Sequence, residues 1–291
     1  MKKFFLVLLL VPAAISAYTL SIAAIFQNDA DVLKEWIEHH KLLGVEYFRL
    51  YNHYSEDHYL EVLLPYIEAG DVELIDWRVP EFPRCQLLAY EDALEKMSGK
   101  TKWLALIDTD EFIHPLTCNS IPTFLQGYEK YPGVAINWQL FGTSHVKQLG
   151  KDDLLLERLT YKFPERYDNP NWQSNAYVKC IVQPDKIVPK CWTAHLFTPK
   201  KRGRTIVDPE RRAVTETRNE RIPVSQICLN HYWFRSEEWF YTYKLYRRAL
   251  VGDSYPPELI EEILKEGNTV EDRRIQRFLP QLREKMAYKR A

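Results

Sequence analysis

The run Trp103-Leu104-Ala105-Leu106-Ile107 is apolar at every position and breaks directly into Asp108-Thr109-Asp110-Glu111. Five apolar residues ending in charge predict a strand covered on both faces, as in a parallel sheet flanked by helices. Working back towards the N-terminus, residues 20–26 read as another buried strand. Residues 31–43 then place Val32, Leu33, Trp36, Ile37 and His40 at helical spacing and stop at Gly44, a residue suited to a helix end. The unit repeats, with a strand over 45–51, a helix over 59–68 closed by Gly70, a strand over 72–77 and a helix over 87–97. Strands joined by crossover helices are parallel, which predicts an α/β fold with a mostly parallel, Rossmann-like sheet. In such sheets the ligand crevice lies beyond the strand carboxyl ends, where the acidic cluster falls.

Regularity drops after a strand over 134–138. Aromatic-rich, polar loops run through Asn175, a hairpin is expected over 178–197, a basic, proline-punctuated loop over 200–223, and two helical stretches from Glu237. The simplest division is one domain over 18–250 followed by a helical tail over 251–291. The N-terminus, Met1-Lys2-Lys3 followed by an apolar run and Ser16-Ala17, reads as a signal peptide or a short membrane anchor over 1–17. That predicts an exported or membrane-associated protein; a buried first strand of a cytoplasmic protein is the alternative.

With 46% hydrophobic and 27% charged residues among 291, the chain has the makings of a folded core. Its net charge of −1 provides no broad basic field, so a nucleic-acid partner is not expected. The five cysteines form no C-x-x-C pair, which argues against a zinc knuckle; if any pair forms, it is Cys180 with Cys191. There is no Walker loop, no G-x-S-x-G elbow and no G-x-G-x-x-G, and His39-His40 does not fit a zinc-protease motif, leaving helix packing as its reading.

Two aspartates one residue apart at a strand end can share a hard divalent cation, Mn²⁺ or Mg²⁺, whose remaining positions take water and phosphate oxygens. Such an ion neutralises charge on a departing diphosphate. A solvated turn or a helix N-cap has the same spacing, but the buried strand before it favours a site. A calcium loop does not fit, because Phe112 stands at the third acidic position. An aspartyl-nucleophile phosphotransferase also fits poorly, since Phe112 occupies the place of the required hydroxyl.

Beyond this motif, Phe26-Gln27-Asn28-Asp29, Leu33-Lys34-Glu35-Trp36-Ile37-Glu38-His39-His40, Gly44-Val45, Tyr51-Asn52, Ser55 and Asp57 follow in order. Then come Gln86, Tyr90, Lys102-Trp103, Asp108-Thr109-Asp110-Glu111-Phe112, Trp138, Phe141-Gly142-Thr143, Glu157-Arg158, Asn230-His231-Tyr232 and Arg235-Ser236. Together they resemble glycosyltransferase family 92 and the related family-2-like bacterial enzymes over about residues 20–245. The family usually has Lys-Asn-Glu where this chain has Gln27-Asn28-Asp29, and often Lys at Arg235, exchanges that alter contacts to a phosphate.

The resemblance implies a GT-A fold and inverting transfer of a hexose, galactose from a UDP-sugar in the first instance, to a hydroxyl of a glycan or glycolipid. It implies a metal held by Asp108, Asp110 and His231, with His195 as the competing histidine, and Arg235 at the diphosphate. Gln86 and Asp108 fall on the donor nucleotide, as do Asn28, Asn52 and Asp57 unless these three only stabilise turns. The base that takes the acceptor's proton is Glu157, with Asp168 in reserve; a surface ion pair is the competing role for Glu157. Trp138, Trp172 and Trp192 are candidates for stacking on sugars. A non-catalytic carbohydrate- or nucleotide-binding protein of the same fold is the alternative function.

Overall fold

A computed structural model describes residues 17–80 and 83–287. The expected leader segment therefore lies, apart from Ala17, outside the described residues. The first half alternates as the periodicity predicts: β1 (Tyr18–Phe26), α1 (Ala30–Leu42), β2 (Tyr47–Asn52), α2 (Tyr59–Glu68), β3 (Val72–Asp76), α3 (Arg84–Met97) and β4 (Thr101–Leu106). Next come β5 (Glu111–Pro115), α4 (Ile121–Leu125), β6 (Gly133–Leu140), α5 (Leu155–Arg158), β7 (Tyr161–Lys162) and β8 (Val178–Val182). The chain closes through β9 (Ile206–Val207), β10 (Ala213–Val214), β11 (Ile227–His231), α6 (Glu237–Trp239), a π-turn over Phe240–Lys244, α7 (Leu245–Leu250), α8 (Pro257–Glu266), β12 (Val270–Glu271) and α9 (Leu279–Ala287).

β3, β2, β1 and β4 are parallel neighbours in that order, so their carboxyl ends share one edge of the sheet. Alternate residues of β1 feed opposite cores: Leu20, Ile22 and Ala24 pack with Trp36 and Ile37 of α1, while Ala23 packs with Ala89 and Tyr90 of α3. The result is a helix-covered, mostly parallel α/β sheet. α1 ends at Gly44, whose φ of +94° reverses the chain and where a Cβ would stand only 3.0 Å from the Pro122 ring.

The expected hairpin over 178–197 does not form. β8 instead lies between β4 and β6, antiparallel to both, and the chain after it runs as loops. The reason is burial: all five residues of Val178–Val182 are covered, so the strand is central to the sheet. β6 continues past it and is joined along its last residues by β11, which also pairs antiparallel with β5. These pairings bring residues 227–231 beside the strand that follows Asp108-Thr109-Asp110.

Residues after 250 fold back onto the domain. Leu259, Ile263, Ile275 and Leu282 enter the main core, and β12 pairs with β7. All five cysteines are free; Cys180 Sγ donates to the His195 carbonyl at 3.2 Å instead of joining Cys191. Among the described residues, no helix is long and apolar enough to cross a membrane.

Candidate active site

The helix signature Glu35-Trp36-Ile37-Glu38-His39-His40 positions the acidic turn from behind. Trp36 Nε1 donates to the Glu111 carbonyl at 2.8 Å and His39 Nε2 to the Ile113 carbonyl at 2.9 Å. His40 donates through Nδ1 to the Trp36 carbonyl at 2.8 Å, which leaves Nε2 to accept from the Ile113 amide at 3.2 Å. α1 is thus fastened to β5, and burial keeps both histidines neutral, lowering His39 to about 4 and His40 well below its usual range.

Glu111 anchors the turn from below. It is wholly buried, accepts from Trp138 Nε1 and from the Asp108 amide, each at 2.7 Å, and lies 3.8 Å from the Lys179 ammonium. Burial raises its carboxyl well above the ordinary range; Lys179 opposes this, while Asp108 and Asp110 add to it. Asp108 accepts from Gln86 Nε2 at 2.7 Å, Tyr90 Oη at 3.1 Å and Lys179 Nζ at 3.0 Å. Thr109 Oγ1 donates to Asp29 at 2.7 Å, and the other Asp29 oxygen pairs with Arg235.

Asp110 Oδ1 lies 3.5 Å from His231 Nε2, and Oδ2 lies 3.4 Å from the Lys244 ammonium. Burial would raise the Asp110 carboxyl, but Lys244, His231 and Arg235 outweigh it and hold it well below the usual range. Burial also lowers Lys244, against the pull of Asp110. Arg235 takes the left-handed conformation, φ +50°, in the turn between β11 and α6, a strained choice for a non-glycine residue that aims its guanidinium inward. There it stacks on the Trp239 ring at 4.3 Å.

These groups line a cavity of about 580 Å³ at the carboxyl ends of β1 and β4. Its size suits a small-molecule ligand, for which roughly 300–1,000 Å³ is usual. Five cations, Lys179, Arg235, Lys244, Arg247 and Arg248, meet three carboxylates, Asp29, Asp108 and Asp110, around its walls. That excess of positive charge suits a polyanion such as a diphosphate.

The expected metal donors come together only in part. Asp110 and His231 face each other at a spacing close to the ~3 Å between adjacent ligands of an octahedral ion with bonds of about 2.0–2.1 Å. Among the described residues, buried His231 Nδ1 has no hydrogen-bond partner. A carboxylate and an imidazole therefore fit Mn²⁺ or Mg²⁺ at this point. Asp108 is turned towards Gln86, Tyr90 and Lys179, and among the described residues no third such donor joins the pair. His195 also lines the cavity, but its Nδ1 donates to the Val178 carbonyl at 2.9 Å. Its ring lies against Trp138, as does that of His231, and burial lowers it to about 4.

Of the expected donor contacts, Asn28 and Gln86 line the cavity. Asn28, at φ +54°, uses its Oδ1 to accept from the Glu56 amide at 2.7 Å. Asn52 and Asp57 do not line it. Asn52 is buried, donates to Tyr59 Oη at 3.0 Å and accepts from the Ser55 amide at 3.0 Å. Asp57 accepts from the amide of Ala30, opening α1, at 2.8 Å; both are turn and cap residues.

Neither expected base lines the cavity. Glu157 pairs with Arg283 of α9, and its carbonyl accepts from Gln276 at 3.0 Å. Asp168 is half exposed and pairs with Arg218 at 3.0 Å. It is the nearer of the two by connection: Arg218 lies over Tyr177, whose ring touches those of Trp138 and His195. Trp138 lines the site, Trp172 is packed against the core, and Trp192 is exposed.

Lys179, Lys244 and Trp239 were not singled out from sequence, and Asp29 entered only as part of the Gln27-Asn28-Asp29 motif. Lys179 alone left a signal, as the single charge inside the apolar strand Val178–Val182.

Comparison with known proteins gives a family and distant likenesses. The profile of glycosyltransferase family 92 matches residues 16–260. The galactan β-1,4-galactosyltransferase GALS3 of Arabidopsis thaliana is 30% identical over 110 residues, 34% of this chain and 21% of that one. A glycosyltransferase family 92 protein of Ricinus communis is 29% identical over 97 residues, 33% of this chain and 17% of its own length. The match thus spans about a fifth of the length of these relatives. Among solved structures, residues 1–349 of TarS from S. aureus give a distant likeness, with a TM-score of 0.40 and 10% identity over 86% of this chain and 70% of that one. With the family profile covering most of its length, the chain belongs to glycosyltransferase family 92.

Proposed function

We propose that the protein is a metal-dependent, inverting glycosyltransferase that moves a hexose from a nucleoside diphosphate sugar to a hydroxyl of a glycan or glycolipid. The observation that carries this reading is the cavity itself: Asp108 and Asp110 at a strand end, the Asp110–His231 pair, and a wall rich in lysine and arginine. Galactose and UDP are the first sugar and nucleotide to try, because GALS3 is named a galactosyltransferase. Association with a membrane remains part of the proposal through the N-terminal apolar run.

In this reading Asp110 and His231 hold Mn²⁺ or Mg²⁺, which would neutralise charge on the leaving diphosphate. Arg235, fixed by Asp29 and Trp239, presents its guanidinium to the same phosphates. Asp108, held by Lys179 and Gln86, forms part of the wall along which the donor nucleotide would lie. The acceptor hydroxyl loses its proton to a carboxylate as its oxygen attacks the anomeric carbon from the face opposite the diphosphate. Asp168, linked to the cavity wall through Arg218 and Tyr177, is the residue proposed for that role over Glu157, which is tied to α9.

Calorimetric titration of UDP with and without Mn²⁺, on the wild type and on Asp110→Ala, tests the proposal. Metal-dependent binding that the variant loses is expected; a folded wild type that binds no nucleoside diphosphate overturns it. The second reading, a binding protein without turnover, is favoured by the absence of Glu157 and Asp168 from the cavity lining. It predicts UDP-sugar binding with no transfer or hydrolysis.

A further inference from the structure

After one α-helical turn, Glu237–Trp239, the chain widens into the π-turn Phe240–Lys244 before α7. A π-turn makes room for an extra residue per turn and is common at functional sites. Here it brings two consecutive side chains to the cavity side. Tyr243 packs on Trp239, with ring centres 5.3 Å apart, and donates to the Gln27 carbonyl at 3.2 Å. Lys244 sends its ammonium between the rings of Trp233, at 4.6 Å, and Trp239, at 5.4 Å, to end 3.4 Å from Asp110 Oδ2.

The lysine is largely buried, so two indole faces and one carboxylate replace most of its water. Asp110 is the same carboxylate whose other oxygen faces His231. A divalent cation at the Asp110–His231 pair and the Lys244 ammonium would compete for one anion. Two cations this close repel unless another anion arrives.

We propose that Lys244 is a built-in counter-cation of Asp110, which a divalent metal must displace and which then moves to the diphosphate beside Arg235. The inference rests on reading the cavity as a nucleoside diphosphate site. It makes metal and nucleotide binding mutually dependent. Without the diphosphate, the metal binds against the lysine; with it, the displaced ammonium gains a new partner, and each ligand tightens the other by the same factor.

The test uses the full chain and two neutral variants, Lys244→Met and Lys244→Gln, whose near-ultraviolet circular dichroism reports folding. Mn²⁺ binding without nucleotide is read from the electron paramagnetic resonance of the free ion and from quenching of Trp233 and Trp239. UDP binding at saturating Mn²⁺ is read by calorimetry. Removing the charge is expected to tighten Mn²⁺ alone by about tenfold or more and to weaken UDP by a similar factor, a split that a merely structural lysine would not produce. Mn²⁺ affinity equal to or weaker than that of the wild type, in whichever variant folds, overturns the inference. A wild type that binds UDP with Mn²⁺ while both variants match it removes the role of Lys244 alone. A wild type that binds no nucleotide removes the nucleotide reading as well.

Discussion

Glu35 supplies a quantitative test of how the family's helix signature works. It is buried on α1, and its two oxygens accept from the amides of Leu155 at 2.8 Å and Leu156 at 3.0 Å, capping the first turn of α5. Burial lifts its carboxyl from 4.5 to about 7, although the two amides, Arg283 and Arg235 oppose the rise. Between these values the folded chain keeps a proton that the unfolded chain has released, so this group makes stability fall as pH rises through the window. At ~1.4 kcal/mol per unit, the loss by pH 8 is about 3 kcal/mol.

Glu35→Gln is neutral throughout. It keeps one acceptor and turns an amide N–H against the other backbone N–H, costing about 1–3 kcal/mol. The variant is therefore expected to be less stable than the wild type at pH 5 and to draw level with it or pass it by pH 8. Buried histidines titrate across the same range with the opposite sign, but they are common to both proteins and cancel in the difference. Urea unfolding followed by tryptophan fluorescence at pH 5, 6, 7 and 8 measures that difference. Parallel stability curves for the two proteins would refute the assignment of a buried, proton-holding cap.

Further outcomes concern other positions. In Glu35→Gln, stability should fall as pH drops from 6.5 towards 4, because the unfolded chain binds protons that His39, lowered to about 4, and His114, lowered to about 3, refuse when folded; a flat profile contradicts this. Lys179→Met strips the counter-ion from Asp108 and should cost about 3–5 kcal/mol in denaturant unfolding, with a near-neutral result counting against a buried ion pair. Gly142→Ala would set a Cβ 2.3 Å from the Gly267 carbonyl oxygen; a loss of about 1–3 kcal/mol is expected, and an unchanged melting temperature would show that the 267 turn can yield. Glu157→Gln should leave UDP affinity unchanged, and a clear loss would return that residue to the site.

The local pattern carried the first half of the fold. The apolar run before Asp108, the helical spacing of Val32, Leu33, Trp36 and Ile37, and the stops at Gly44 and Gly70 depend on near neighbours alone, so they are legible in one dimension. The same holds for the acidic turn at the strand end, whose Asp108 and Asp110 line the cavity. The ordered motifs were legible too, but not their roles. Trp36, His39, His40 and Glu111 fasten α1 and β6 to the acidic turn and β5 while Glu35 caps α5, and nothing in their spacing distinguishes such support from contact with a ligand.

Tertiary structure decided which charges meet. The insertion of β8 between β4 and β6 carries Lys179 to Asp108, 71 positions away; the pairing of β11 with β5 carries His231 towards Asp110; the π-turn aims Lys244 at the same carboxylate. It likewise drew Glu157 away to Arg283 and turned Asn52 and Asp57 into turn and cap residues. Sequence periodicity records which face of an element is apolar. The partner of a buried charge is chosen by strand order and loop path, which arise from packing across the whole domain.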